Sequence, residues 1–366
     1  MKARISKQLQ NEGILSFCSS ILAIICGLLI GLIILLISNP SQALPGFLEI
    51  LKGSFTNGVR GLDTMLYMAV PIIMTGLSVG FAFKTGLFNI GVTGQLTVGA
   101  FAAIFVGVKA TFLPSSIHWL IAVIAAMLAG AIWGLVPGLL KAHLNVNEVI
   151  SSIMMNYIGM YAVNMWVQKY LYDSLKNQSV EVESSALLPK GFFDQIIPDT
   201  KMTIAILIAI MFVIIVYIVM NKTAFGYEIK ACGKNREATR YAGINAKRNI
   251  VLSMVIAGAL AGIGGAMIYL AGTGKYWQVL DVLAPEGFQG ISVALLGGSN
   301  PIGILFSGLF IQHITIGGLN MQLYGFAPEV VDIIIASIIY CGALSLLFKG
   351  ILKKIAAKLQ KEETIE

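Results

Sequence analysis

The chain has 366 residues, of which 57% are hydrophobic and 12% are charged, and its mean hydropathy is +0.83. A soluble domain carries about a quarter charged residues, so half that share together with long apolar runs indicates a polytopic membrane protein. In such a chain the net charge of +7 reflects membrane orientation, and we expect no nucleic acid among the partners.

Ten apolar or glycine-broken segments follow one another, and together they predict an all-α bundle of about ten transmembrane spans, some of them short or broken. Spans eight and nine share one polar, interrupted stretch, and the third begins within residues 86–95. The predicted spans cover residues 14–37, 62–83, about 95–108, 118–140, 148–171, 202–220, 250–271, two within 282–319, and 329–348.

Lysine and arginine set the predicted orientation, because these residues concentrate in cytoplasmic segments. On this topology, 17 of the 25 lysine and arginine residues lie on cytoplasmic segments. Both termini are then cytoplasmic, with an N-terminal segment (1–13), a transmembrane domain (14–348) and a basic tail (349–366). The longest external loop spans residues 172–201.

Two glycine-interrupted segments, 86–107 and 287–308, occupy matching places in spans two to five and seven to ten. Because these two blocks start on opposite sides of the membrane, they predict an inverted-topology repeat. In transporters built this way, broken helices mark the binding site.

A basic segment, Asn221 to Asn249, separates spans six and seven. It carries seven Lys or Arg against two acids, which places it in the cytoplasm. Within it, residues 235–243 predict a short helix. Asn235 can cap its N-terminus, Glu237 complements its positive end, and Gly243 can adopt the left-handed conformation after its last turn. A small helix between two spans offers a surface that another subunit can grip.

Catalytic and metal-binding patterns are missing from the sequence. The four cysteines form no CxxC pair, the three histidines are far apart, and nothing matches the phosphate-binding pattern GxxxxGK[ST]. Few carboxylates lie within the spans, so no proton relay is indicated. We therefore expect no enzyme activity, no metal and no cofactor in this chain, with ATP bound elsewhere if it is used.

Polar residues within the spans are the candidates for a solute pathway. Glu148, Ser152 and Asn156 recur every four residues on one face of span five, which fits either a pore-facing stripe or a capped helix start with hydrogen bonds to neighbouring helices. Amides beside broken helices must face protein or water, so some should line a cavity for a polar, uncharged solute. These candidates are Asn89, Gln95, Gln289, Ser292, Gln312 and His313.

Several motifs carry a family resemblance. The stretch 226–235 reads GYEIKACGKN and is followed by Tyr241-Ala242-Gly243-Ile244-Asn245 and by AGALAG at 257–262. It resembles the cytoplasmic coupling segment of the permeases that serve sugar, branched-chain amino acid and nucleoside ABC importers. TGLFNIG at 85–91 and NEVIS at 147–151 are similar to the nucleoside branch. Thr93 departs from the pattern, since relatives often have Glu there.

The resemblance implies a bacterial cytoplasmic-membrane permease for nucleosides, with purine nucleosides as the expected cargo. Its partners would be a cytoplasmic ATP-binding-cassette ATPase, a second permease, which we expect to be a different chain, and an external solute-binding lipoprotein. A simple sugar such as ribose is the alternative cargo, and an ATP-independent carrier is the alternative mechanism. The coupling residues would be Gly233, Asn235, Arg236, Glu237, Ala238, Tyr241, Ala242, Gly243 and Ile244.

Overall fold

The computed structural model describes residues 12–344 and 347–354. Residues 1–11, which hold the basic N-terminus, and residues 355–366 of the predicted tail lie outside the described residues. The helices are α1 (Glu12–Ser38), α2 (Ala43–Lys52), α3 (Gly58–Lys84), α4 (Val92–Lys109), α5 (Ser115–Leu144), α6 (Glu148–Tyr170), α7 (Phe193–Ile196), α8 (Ala205–Lys222), α9 (Ala224–Lys234), α10 (Arg236–Tyr241), α11 (Ala246–Tyr269), α12 (Pro285–Leu296), α13 (Pro301–Met321), α14 (Pro328–Ala343) and α15 (Leu347–Lys354).

The predicted all-α polytopic class is confirmed. A two-residue hairpin, Tyr172–Asp173 with Gln178–Ser179, is the only sheet in the described part of the chain. Seven helices there are long and apolar enough to cross a membrane, or eight when α14 and α15 count as one bent span. The ten predicted spans correspond in order to α1, α3, α4, α5, α6, α8, α11, α12, α13 and α14.

Three of these ten helices fall short of a simple span. Helix α14 has 16 residues and reaches a span only together with α15, whereas α12 and α6 fall short for other reasons. Helix α12 has only 12 residues, about 18 Å of helix, because Pro285 starts it and the glycine turn at 297–298 ends it. Helix α6 has 23 residues but is too polar to be among the seven. The polar, interrupted stretch 282–319 predicted the broken α12 region. Helices α2 and α9 were not predicted.

Residues 57–312 form one compact unit, and its centre is built from glycine-lined helix contacts. Helix α11 lies along α5 so closely that a Cβ on Gly258 would overlap the carbonyl of Gly130, and one on Gly134 would overlap that of Met254. The GxxxG spacings in these helices, Gly130/Gly134 and Gly258/Gly262, thus bring two backbones into contact.

The helix contacts of this unit repeat between its two halves. Helix α11 packs on α5 and α4, while α3 packs on α13 and α12. Exchanging spans two, three and four for seven, eight and nine converts the first set of contacts into the second. The glycines take part on both sides, since Gly76 and Gly80 of α3 receive Ile304 of α13. The contact pattern is thus consistent with the predicted repeat.

The predicted external loop is fastened to the start of α3. The buried carboxylate of Asp63 accepts hydrogen bonds from the Thr200 hydroxyl and from the backbone N–H groups of Lys201 and Met202, the latter two at 2.9 and 3.1 Å. Since burial of an unpaired carboxylate is costly, these three donors explain how an acid is accommodated there.

The described residues before 57 and after 312 form the other unit. Helices α1 and α14 pack together where Gly27 and Gly31 face Ile338 and Ile334. His313, one of the pathway candidates, accepts a hydrogen bond from the Ser54 N–H at 3.2 Å through Nδ1. Its Nε2 lies 3.1 Å from the Leu51 carbonyl, so local partners satisfy this ring.

Candidate functional site

The break between α3 and α4 holds a pair of buried amides. Asn89 donates to Gln95 Oε1 at 2.9 Å, and Gln95 donates back to Asn89 Oδ1 at 3.2 Å. A longer contact of 3.4 Å joins Asn89 to the hydroxyl of Ser78 on α3. Both amides are about 1% exposed. The pairing gives each buried side-chain amide a hydrogen-bond partner that it would otherwise lack.

Asn156 of α6 completes this break from the neighbouring helix. Its Oδ1 accepts from the Gly94 N–H at 2.8 Å, and its Nδ2 donates to the Ile90 carbonyl at 3.0 Å. The two helices approach closely because position 94 lacks a side chain: a Cβ there would lie 2.9 Å from the Asn156 Cα. We call Asn89, Gln95 and Asn156 the amide cluster.

Two buried hydroxyls beside the amide cluster have no hydrogen-bond partner in the described part of the chain, those of Thr93 and Ser152. Ser152 packs on Gly91, and Thr93 packs on Gly287 of α12. Consecutive residues Thr93 and Gly94 therefore contact α12 and α6 respectively. The start of α4 is held between those two helices.

Glu148 lies at the first turn of α6 and is paired with Lys141 at the end of α5, 2.8 Å away. Both side chains are largely buried, with 15% and 21% of their surfaces exposed. Asn147 caps the same helix by accepting from the Val149 N–H at 2.9 Å. The cap and the ion pair give this end of α6 a structural role, as one of the two sequence interpretations expected.

The remaining pathway candidates lie apart from the amide cluster. Gln289 and Ser292 are half-buried on α12, and the Ser292 hydroxyl makes only a long contact of 3.4 Å to the Phe288 carbonyl. The opposite face of α12 packs through Gly287 and Gly290 on α4 and α3. Gln312 is buried, and its Oε1 has no partner among the described residues.

The candidates thus divide into a buried, mutually bonded group and a partly exposed group on α12. Whether either contacts a solute stays a prediction. Sequence spacing placed Asn156 on a face of α6. It gave no signal that this amide would cap α4, because the partners are 62 and 66 residues away.

The basic segment folds into two helices, α9 and α10, joined at Asn235. The predicted short helix is present, and Asn235 caps it by accepting from the Ala238 N–H at 2.9 Å. Gly243 follows the last turn with a φ of +80°, the left-handed conformation that glycine adopts most readily. The capping chemistry in the sequence therefore identified this helix correctly.

The outer side of α10 is open to solvent. Tyr241 is 92% exposed, Ala238, Ala242 and Gly243 are also exposed, and Ile244 is half-buried. Thr239 alone among the residues of α10 is buried, and its hydroxyl bonds back to the Asn235 carbonyl at 2.7 Å. We call Ala238, Tyr241, Ala242, Gly243 and Ile244 the coupling surface.

Close backbone contact ties the basic segment to the break between α3 and α4. A Cβ on Gly233 would overlap the Lys84 carbonyl, and one on Gly86 would lie 3.1 Å from the Gly233 Cα. Nearby, the hydroxyls of Thr85 and Ser253 are 2.7 Å apart, which joins the same break to α11. A displacement of α9 would therefore press directly on the turn that precedes the amide cluster.

A second tie joins α9 to α11. The buried side chain of Asn249 donates to Glu228 Oε2 at 3.0 Å and lies 3.8 Å from the sulfur of Cys232. The sequence analysis assigned Gly233 to coupling from the resemblance. No coupling role was assigned from the sequence to Gly86, Asn249 or Ser253, because their contacts join distant parts of the chain.

The described residues contain no cluster of three or more His, Cys, Asp or Glu side chains able to hold a metal ion. The arrangement that is present has three parts. They are the exposed surface on α10, the contacts of α9 with the end of α3 and with α11, and the polar break between α3 and α4. This arrangement can transmit force between a partner and the helix bundle.

Residues 61–343 match the protein family described as the permease component of branched-chain amino acid transport systems. The chain belongs to this permease family.

Individual relatives agree with the family assignment. The guanosine ABC transporter permease protein NupP of Bacillus subtilis is 40% identical over 92% of this chain and 96% of its own length. The nucleoside ABC transporter permease protein NupB of Lactococcus lactis is 36% identical, over 94% of this chain and 95% of its own. The glucose ABC transporter permease protein TsgB13 of Haloferax volcanii is 32% identical over 83% of this chain and 80% of its own length. No solved structure gives a significant match.

Proposed function

We propose that the chain is the permease subunit of an ATP-binding-cassette importer for nucleosides, with purine nucleosides as the cargo. The observation that carries this proposal is the coupling surface, an exposed surface on α10 and the turn after it that α9 connects, at Gly233, to the end of α3 and the turn at Gly86. Its presence in a chain without a phosphate-binding loop supports energy entry from a separate ATPase subunit. The names of two relatives, the guanosine permease protein NupP and the nucleoside permease protein NupB, support the cargo.

The steps of transport follow from these contacts. ATP binding by the partner ATPase moves α10 and, through α9, the backbone at Gly86. Gly86 lies in the turn that leads from α3 to α4, so the movement shifts these helices relative to α11. Two permeases rocking in this way expose the solute cavity alternately to each side, and the ATPase subunits carry out the hydrolysis.

The same proposal assigns the partners and the location. A cytoplasmic ATPase grips the coupling surface, a second, different permease completes the pathway, and an external lipoprotein delivers the solute. The chain lies in the bacterial cytoplasmic membrane with both termini inside. Its solute site uses amides and aromatic rings rather than charge, which suits a neutral nucleoside.

A simple sugar is the second candidate cargo, and the 32% identity to a glucose permease favours it. Competition separates the two: free ribose or glucose in excess would suppress uptake of a sugar importer and leave nucleoside uptake unchanged. A carrier that needs no ATPase is the third candidate. It would transport solute alone in liposomes and would not retain an ATPase during purification.

Radiolabelled uptake in a strain deleted for the gene tests the proposal. We expect the deletion to abolish high-affinity guanosine and adenosine uptake, and expression of the chain to restore it. Unchanged uptake of guanosine, adenosine and uridine in the deleted strain would contradict the nucleoside assignment.

A further inference from the structure

Helix α6 presents an unusual outer face. Ile150 and Ile158 of this helix are 60% and 53% exposed. Beside them, four residues at spacings of three and four lie on one side of the helix and are about half exposed: Met154 at 53%, Tyr157 at 46%, Tyr161 at 55% and Met165 at 58%. We call these four residues the Tyr/Met face. The opposite side of α6 packs on α4 and α5 and carries Asn156 of the amide cluster.

The outer faces of other spans differ in composition. The exposed large apolar side chains of α8 are Leu207, Ile210, Met211, Ile214, Ile215 and Ile218, and those of α5 are all Ile, Leu and Val. Such faces suit hydrocarbon. Helix α6 is long enough to span a membrane, yet it is not among the helices apolar enough to do so.

The two tyrosines lie in the middle of the span. They are the tenth and fourteenth of 23 residues, whereas tyrosines in membrane proteins concentrate at the interfaces, where the ring is apolar and the hydroxyl is wet. Neither hydroxyl has a hydrogen bond within the described part of the chain. A hydroxyl facing hydrocarbon without a partner is unfavourable, so this face requires water or polar groups beside it.

Resting on the proposed nucleoside import, we propose that the Tyr/Met face lines the translocation pathway and that Tyr157 and Tyr161 stack against the base of the passing nucleoside. Every base presents a planar π-face, and stacking on an aromatic ring tolerates differences between bases. Methionine side chains beside the rings adapt their shape to varied solutes. The face carries no charge, which matches a neutral solute that must bind and then leave.

The position of the face connects it to the candidate site. Tyr157 follows Asn156 directly, and Asn156 is bonded to the first turn of α4. That turn also contacts α12 at Gly287, whose other side carries Gln289 and Ser292. A movement of the first turn of α4 therefore reaches both α6, which carries the Tyr/Met face, and α12, which carries Gln289 and Ser292.

Cysteine labelling tests the proposal in the full importer, reconstituted with its ATPase, binding protein and second permease. Tyr157→Cys and Tyr161→Cys are introduced into a chain whose four native cysteines are replaced by alanine or serine. A membrane-impermeant, water-soluble methanethiosulfonate should modify both positions, and saturating guanosine with ATP should slow the modification about threefold or more, because a stacked base shields the ring position. The lipid-side control Ile214→Cys should stay unmodified.

Transport of labelled guanosine supplies the second measurement. Tyr161→Phe keeps the ring and should keep most of the transport rate at saturating guanosine. Tyr161→Leu should lower that rate about fivefold or more, consistent with the loss of one stacking contact. Co-purification of the second permease and the ATPase with each variant shows that assembly is intact.

The outcomes separate failure of this inference from failure of the proposed function. Unmodified cysteines in an importer that transports guanosine would overturn the proposal, since the face would then lie against lipid or be sealed by the second permease. Equal rates for the Leu and Phe variants would overturn it as well. If the wild-type importer transports no nucleoside at all, the proposed function itself is wrong.

Discussion

The coupling surface and the amide cluster are built in opposite ways. The cluster is about 1% exposed and bonds within the chain, whereas Tyr241 of the coupling surface is 92% exposed. Buried amides that satisfy each other stabilise one arrangement of helices. In the proposed function, the exposed outer side of α10 is where a partner subunit binds.

This difference separates two kinds of mutational effect. Changes on the coupling surface should abolish transport and leave the fold unaffected, whereas changes in the amide cluster should weaken the fold first. Gly233 lies between the two regions, so changes there should affect both.

The largest effect is expected for Gly233→Leu. A Cβ at this position overlaps the Lys84 carbonyl, so α9 must move away from the end of α3, and the connection between α10 and the break is lost. We expect uptake to fall below about a tenth of wild type, in line with other severe steric substitutions in packed sites. Gly350→Leu is the matched control, because nothing lies within 4 Å of a Cβ there. Equal uptake by both variants would show that the backbone contact carries no force.

Ala238→Glu should abolish uptake without loss of membrane insertion or thermal stability. Ala238 is exposed, so the fold tolerates the longer side chain, while the ATPase meets a charge where it expects a small apolar residue. Uptake and co-purification of the ATPase measure the effect. Lys247→Gln, an exposed change in the same basic segment, should keep wild-type uptake. Normal uptake with Ala238→Glu would show that α10 does not couple the ATPase to transport.

Asn156→Ala should destabilise the protein. It removes a bond of 2.8 Å and one of 3.0 Å and leaves the Gly94 N–H and the Ile90 carbonyl buried without partners, which costs about 2–4 kcal/mol. Thermal unfolding in detergent measures the loss. Gln168→Ala on the exposed side of the same helix should leave the melting temperature unchanged. An unaltered melting temperature in Asn156→Ala would mean that the cluster is not structural.

Asn235→Ala should have the smallest effect. It removes the side-chain cap of α10, a loss of about 1 kcal/mol, so the short helix frays and uptake falls only in part. Asn235→Ser restores an oxygen acceptor and should restore uptake. A defect that serine fails to rescue would point to direct contact between Asn235 and the ATPase instead of capping.

Some elements of the fold could be predicted from the sequence and others could not. The short helix was predictable because its signals are local: a cap at Asn235 and a glycine at 243 lie within nine residues of each other. The all-α architecture was predictable from the apolar runs. Helix α9 was missed because its residues lie in a segment whose dominant signal is charge, and its buried side, at Ile229 and Cys232, shows only after folding.

The partners of the amide cluster could not be predicted in the same way. Asn156 meets Gly94 only because α4 and α6 pack side by side, and the side-chain types fit a pore lining and a structural cap equally well. The glycines of the break, Gly86 and Gly94, gave a signal of close approach without naming the neighbour. Topology supplies the neighbour, and a single sequence does not determine it.

The central claim, that energy from a separate ATPase enters through the coupling surface to move nucleosides, is tested most directly by transport in proteoliposomes. The chain is reconstituted alone, and with its ATPase, second permease and binding protein, and labelled guanosine uptake is followed with and without ATP. We predict uptake only in the complete complex with ATP, and its loss when the chain carries Ala238→Glu. Uptake by the chain alone, or ATP-driven uptake that Ala238→Glu does not alter, would contradict the account.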